Sequence, residues 1–180
     1  MSRLVDQIRQ ALAGFAGCRT PPALIGGLAL AAHRVVRATQ DVDFLVDAED
    51  AERIHAMLIG LGYACVYRSD DAANYRRGDE GLDLLYARRP HARRLLANAE
   101  VRDTPMGRLH VVSVEGLIGF KLQGYVNNPR RTRDLDDIRS LLRANRGNLD
   151  IAEVRQYFEL FGKAELLDAL LKEGDDDAIP

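Results

Sequence analysis

The sequence predicts an α+β protein: a mixed sheet flanked by helices, with a C-terminal helical segment. Three observations carry that expectation. Short apolar runs of strand length alternate with helical stretches through the first two-thirds of the 180 residues. Glycines and prolines punctuate those runs. From Ser113 onward the pattern turns helical. We therefore expect a sheet-containing core over residues 1–112, a helical bundle packed on it over 113–173, and a frayed tail at 174–180.

Each element has its own signal. Leu4, Ile8, Leu12 and Phe15 recur at helical spacing, which gives a first helix over residues 2–15 that Thr20-Pro21-Pro22 breaks. Ala23–Ile25 is a short apolar strand ending in Gly26-Gly27, and Leu28 to Val36 reads as a helix. Arg37 to Gln40 form a loop before the strand Val42–Val46. Asp47 or Glu49 can start the next helix, which Gly60 and Gly62 close. Strands are expected at 63–69 and 81–87, with the polar stretch Asp70 to Gly81 between them. Pro90 opens a helix, and residues 101–113 resemble a hairpin turning at Thr104-Pro105-Met106-Gly107. Ser113 is a good N-cap with Glu115 in the first turn, and three or four helices follow through Leu171.

Composition narrows the function. A hydrophobic fraction of 47% supports a real core, while a net charge of −2 gives no general electrostatic case for nucleic acid or membrane binding. No apolar run approaches a membrane span, and the first helix carries charges throughout, so a cytoplasmic protein is expected. Cys18 and Cys65 have no CxxC spacing and read as small buried residues or free thiols. His33, His55, His91 and His110 are scattered, which argues against zinc, and His33 reads as a packing or loop residue.

The chemistry gathers around Asp41 and Asp43. Successive side chains of a strand point to opposite faces, so the two carboxylates share one face while Val42 and Phe44 take the other. Adjacent carboxylates repel unless a cation lies between them, and magnesium favours such an all-oxygen setting. Asp83, within Leu82-Asp83-Leu84-Leu85, stands in a similar setting. Beside the first two it would complete a cluster for two metals, one activating the attacking oxygen and one stabilising the leaving phosphate. A bare Asp-x-Asp is more often a solvent-facing pair. Here Gly26-Gly27 lies between a strand and a helix, where backbone can approach a phosphate. Arg37 and Thr39 immediately precede the acids and can fix the loop or contact phosphate. The intervening length suits one helix and one loop returning the chain to a neighbouring strand.

With Gly26-Gly27, a helix, then Arg37-x-Thr39-x-Asp41-Val42-Asp43, the chain resembles the nucleotidyltransferase superfamily, the DNA-polymerase-β-like fold. Arg-x-Thr before Asp-x-Asp resembles its minimal bacterial branch of AbiEii-type toxins, and aminoglycoside and lincosamide nucleotidyltransferases carry a related pattern. Lys121 and Arg133-Asp134-Leu135 are similar to an AbiEii-type segment, so the resemblance spans roughly Ala23 to Leu142. It implies transfer of an NMP from an NTP to an acceptor hydroxyl with release of pyrophosphate. By the same resemblance Gly26 and Gly27 border the triphosphate, Asp41 and Asp43 bind Mg2+, and Asp83 supplies the third carboxylate, as a further ligand of a two-metal site or as the base. The acceptor is open: tRNA, protein or a small molecule. A cognate antitoxin or regulator is an implied partner, and a membrane is not. The alternative is a catalytically weak or inactive binding module of a toxin–antitoxin or defence pair.

Lys121 has two readings. It falls on the apolar stripe of Val114, Leu117, Ile118, Leu122 and Tyr125, and an inward lysine needs a partner. It is either a structural ion pair with Asp134 or a ligand of the triphosphate, with Asp134 orienting it or helping deprotonate the acceptor. Asp136 and Asp137 are assigned to the outer face. The basic clusters Arg88 to Arg94 and Pro129 to Arg133 read as solvated faces, with a polyanionic acceptor such as tRNA as the other option.

Overall fold

The computed structural model describes residues 3–104 and 107–176. The chain divides into two compact units. One contains the residues up to Ala32 together with Arg37–Val112; the other contains His33–Val36 and the chain from Ser113.

In the first unit the helices are α1 (Arg3–Phe15), α2 (Gly26–Ala32), α3 (Ala51–Gly60) and α4 (Pro90–Ala97). Its strands are β1 (Ala23–Ile25), β2 (Asp41–Asp47), β3 (Ala64–Arg68), β4 (Ala72–Arg77), β5 (Glu80–Ala87), β6 (Glu100–Thr104) and β7 (Gly107–Val111). They form one seven-stranded mixed sheet in the order β3-β4-β5-β2-β1-β7-β6. The central strand β2 runs parallel to β5 and antiparallel to β1.

Alternation explains the layering around β2. Val42 and Phe44 are fully buried and share a face with Leu82 and Leu84 of β5 and with Ala73 and Tyr75 of β4. Helix α1 covers that face, with Phe15 edge-on to Phe44 at 5.1 Å between ring centroids. Helix α3 joins it through His55, whose Nδ1 lies 3.0 Å from the Tyr75 hydroxyl. Gln7 of α1 donates from Nε2 to the Gly81 carbonyl at 2.9 Å, which ties the helix to β5.

Two elements differ from the sequence reading. The stretch taken as a connection between two strands contains β4, which pairs with both β3 and β5. Helix α2 starts at Gly26 and stops at Ala32, short of Val36, and Arg34 beyond it takes φ +67°. The predicted hairpin pairs as β6 and β7 from Glu100↔Val111 to Thr104↔Gly107, while Pro105 and Met106 of its turn lie outside the described residues.

The second unit contains α5 (Val114–Asn127), α6 (Thr132–Ala144), α7 (Ile151–Leu160) and α8 (Ala164–Asp176). Ser113 caps α5, its hydroxyl accepting from the Gly116 amide at 3.1 Å. The apolar interior includes Leu117, Ile118, Leu122, Ile138, Leu141, Val154, Phe158 and Leu167. Gly119 lets α5 approach α7, since a Cβ there would press on the Tyr157 ring. Asn145 donates to the carbonyl of His33 at 3.0 Å and so holds the short segment His33–Val36 in this unit. His33 itself is buried. Helix α8 continues through Asp176, inside the segment read as a frayed tail, and residues 177–180 lie outside the described range.

Candidate active site

The strand pairings bring the predicted acids into two rows on one face of the sheet. In the first row Ile25, Asp43, Asp83 and Asn74 are register partners across β1, β2, β5 and β4. In the second, Asp41 pairs with Gly81 and Gly81 with Arg76. Asp43 and Asp83 therefore face each other directly, and Asp41 lies two residues along β2 on the same face. The acids are partly exposed, whereas Val42 between Asp41 and Asp43, and Phe44 after them, are fully buried.

Arg76 bridges the two rows. Its Nη1 is 3.2 Å from Asp41 Oδ1 and 3.7 Å from Asp83 Oδ1. Gly81 makes this reach available, because a Cβ there would collide with both the guanidinium and the Asp41 carboxylate. Burial pushes the Asp83 carboxyl above its ordinary value; a hydrogen bond from Asn74 and the charge of Arg76 pull it down, and Asp41 pushes it up again.

Gly26 and Gly27 stand at the edge of the acidic rows. Gly26 adopts φ +67°, and a Cβ on it would strike the Asp43 carboxylate. A Cβ on Gly27 would lie 2.7 Å from Thr39 Oγ1 and 3.3 Å from Arg37 Nη2. The loop before β2 thus folds against the second glycine. Thr39 Oγ1 donates to the Asp41 carbonyl at 3.5 Å, and Arg37 Nη1 donates to the Ala38 carbonyl at 3.0 Å. The five predicted residues Gly26, Gly27, Arg37, Thr39 and Asp43 form one contiguous neighbourhood, with Asp41 and Asp83 beside it.

The donor set suits a hard divalent cation. It consists of carboxylate oxygens, and Asp83 Oδ1 is buried without a hydrogen-bond partner. Among the described residues, no three His, Cys, Asp or Glu side chains already converge on a single point. The carboxylates share a face, with the Arg76 guanidinium against two of them.

Lys121 and Asp134 lie in the helical unit. Lys121 is buried, with Nζ 3.1 Å from Asp134 Oδ1 and 2.7 Å from Asp137 Oδ2. Arg131 Nε approaches Asp134 Oδ2 at 2.7 Å, a distance suited to an ion pair but with the donor poorly aligned for a hydrogen bond. Two cations and two carboxylates neutralise one another at the α5–α6 contact. Asp137 corrects the sequence reading: it is buried on the Lys121 side, and only Asp136 faces outward. The basic clusters are exposed, and several of their arginines hold nearby acceptors. Arg89 pairs with Asp71 at 3.9 Å, and Arg93 with Glu49 at 4.0 Å.

The residues that sequence reasoning missed are Arg76, Asn74 and Asp137. The first two lie on the unrecognised β4. A signal existed in the period-2 alternation of Ala73 and Tyr75 with Asn74 and Arg76.

No protein-family model and no curated protein matches the chain. Solved structures do. The antibiotic-resistance factor ANT(2'')-Ia aligns over 97% of both chains with a TM-score of 0.66 at 20% identity. Its complex with adenylyl-2''-tobramycin gives a TM-score of 0.68 at 20% identity, over 89% of this chain and 97% of that one. The lincosamide antibiotic adenylyltransferase LnuA, bound to lincomycin, matches at a TM-score of 0.57 and 14% identity, over 78% and 96%. The nucleotidyltransferase toxin MenT4 of Mycobacterium tuberculosis matches at 0.54 and 20% identity, over 86% of this chain and 62% of its own. These neighbours differ in substrate and share an architecture. The mixed sheet with its flanking helices has the nucleotidyltransferase fold.

Proposed function

We propose that the protein is a metal-dependent nucleotidyltransferase that moves an NMP from an NTP to an acceptor hydroxyl and releases pyrophosphate. The observation that carries this reading is the row of Asp43 and Asp83 with Asp41 on the same face, next to the Gly26-Gly27 backbone. Asp41, Asp43 and Asp83 would hold Mg2+, which when bound supplies positive charge to the phosphate oxygens and lowers the pKa of the acceptor hydroxyl. The glycines, lacking side chains, leave the backbone open to the triphosphate. Arg37 and Thr39 shape the loop at that edge. Asp83, whose proton affinity burial raises, is suited to take the proton of the acceptor hydroxyl at its carboxylate. The acceptor oxygen then forms a bond to the α-phosphorus as the bond to pyrophosphate breaks. Positioning and charge stabilisation carry the rate. With an NTP as donor, the reaction belongs in the cytoplasm.

Lys121 would serve a triphosphate only after leaving Asp134 and Asp137, so the proposal gives it and Asp134 first a structural role between α5 and α6. ANT(2'')-Ia and LnuA make a small hydroxylated acceptor worth testing. tRNA or protein is the other acceptor class, and the toxin MenT4 together with the AbiEii-type pattern makes a cognate antitoxin or regulator worth testing. The protein, Mg2+ and each labelled NTP should be incubated in turn with tRNA, protein, an aminoglycoside and a lincosamide. Transfer of label that Asp41→Asn and Asp43→Asn each abolish is the expected result. Failure to bind or transfer any of the four NTPs would overturn it and leave the fold as a binding module.

A further inference from the structure

We propose that Arg76 competes with the divalent cation for the carboxylates of Asp41 and Asp83, so that metal binding in this chain is an exchange of one cation for another. The inference rests on the metal-binding reading of the acidic row given above.

Three observations lead to it. Nη1 of Arg76 lies 3.2 Å from Asp41 Oδ1 and 3.7 Å from Asp83 Oδ1, so one guanidinium nitrogen serves an acid on each of two strands. The intervening position on β5 is Gly81, and any side chain there would block the crossing. The Arg76 side chain keeps 42% of its surface exposed, which leaves it a path to solvent.

The chemistry follows from charge. A guanidinium stays protonated at any working pH, so this counter-ion cannot be removed by losing a proton and must be displaced. A divalent cation sits about 2 Å from its carboxylate oxygens. Held by the carboxylates of Asp41 and Asp83, it would displace Nη1 and repel the positive charge beside it. Arg76 therefore quiets the repulsion among the acids and sets a threshold that the metal must exceed. An NTP that arrives with its own metal would lower that threshold, which couples occupancy of the acidic row to the presence of donor nucleotide.

The test is calorimetric titration with MnCl2, without nucleotide, of the full chain and of Arg76→Gln, Arg76→Lys and Asp43→Asn. Arg76→Gln should bind Mn2+ about tenfold more tightly than the parent, and Arg76→Lys within about threefold of it, because the charge is kept. In wild-type protein carrying 15N-arginine, addition of MgCl2 should move the side-chain Nε–H resonance of Arg76, a readout that needs no variant to fold. Equal Mn2+ affinity in the parent and Arg76→Gln, with weaker binding by Asp43→Asn, would overturn the competition and spare the metal site. An Arg76 resonance unmoved at saturating Mg2+ would do the same. Absence of Mn2+ binding by both the parent and Arg76→Gln would remove the metal reading and this inference together.

Discussion

Gly26 and Asp43 fit together as backbone and carboxylate: Gly26 holds φ +67°, and the space a Cβ would need is taken by the Asp43 side chain. The two requirements act at one position, because a left-handed backbone already excludes most side chains and the carboxylate excludes the remaining volume. Gly26→Ala should therefore lose about 2–4 kcal/mol of stability in urea denaturation. Gly27→Ala, whose backbone is not in the left-handed region and whose neighbour is the side chain of Thr39, should lose less. Equal losses would show that the backbone conformation of Gly26 is not what demands glycine.

The buried cluster at the α5–α6 contact predicts strong non-additivity. Lys121→Met leaves Asp134 and Asp137 facing each other with one cation fewer, and should cost about 3–5 kcal/mol. Combining it with Asp134→Asn and Asp137→Asn should restore most of that loss, since no charge then remains buried without a partner. Simple addition of the three single effects in thermal unfolding would refute the coupling.

Asp83 gives a pH dependence of definite sign. Its folded pKa is raised, mainly by burial, so the folded chain binds that proton more tightly than the unfolded chain does. The stability this contributes is fully present below the ordinary carboxyl range and is lost as pH rises from there through the folded pKa. Asp83→Asn should remove this loss and raise the Tm in metal-free buffer at pH 7 by roughly 1–3 °C. The difference from wild type should shrink below pH 4. A variant with lower Tm at pH 7 would mean that the hydrogen bond from Asn74 and the charge of Arg76 outweigh burial.

Phe44 tests the opposite face of the same strand. It is fully buried and meets Phe15 edge-on, so Phe44→Ala should cost about 3–5 kcal/mol, and Phe44→Leu less. A loss under about 1 kcal/mol in guanidinium denaturation would show that α1 repacks over the strand.

Much of this architecture can be read from residue types alone, and the exceptions have physical causes. Asp41 and Asp43 are legible because charges at alternate positions of an apolar strand stand out against strand composition. Asp83 is legible for the same reason. Strand β4 is not, because only Ala73 and Tyr75 are buried within it while Arg76, Arg77, Gly78 and Asp79 at its end look like a solvated turn. Missing that strand hides Arg76, which pairs with both Asp41 and Asp83. Asp137 escapes for a related reason. It shares the inward side of α6 with Asp134, Ile138 and Leu141, but polarity argues against burial until Lys121 is known to lie opposite.

The pairing Asp43↔Asp83 lies between strands whose other faces carry Val42, Phe44, Leu82 and Leu84. A slip of one residue between β2 and β5 would turn Asp83 into the apolar layer and Leu82 or Leu84 out of it, so the interior indexes the acids that never enter it. The acidic face can thereby vary independently of the architecture beneath it. The carboxylates could change identity, or lose their charge, without disturbing the alignment that places them. A descendant of this chain could exchange those acids and keep every strand in place, presenting a different surface at the same address.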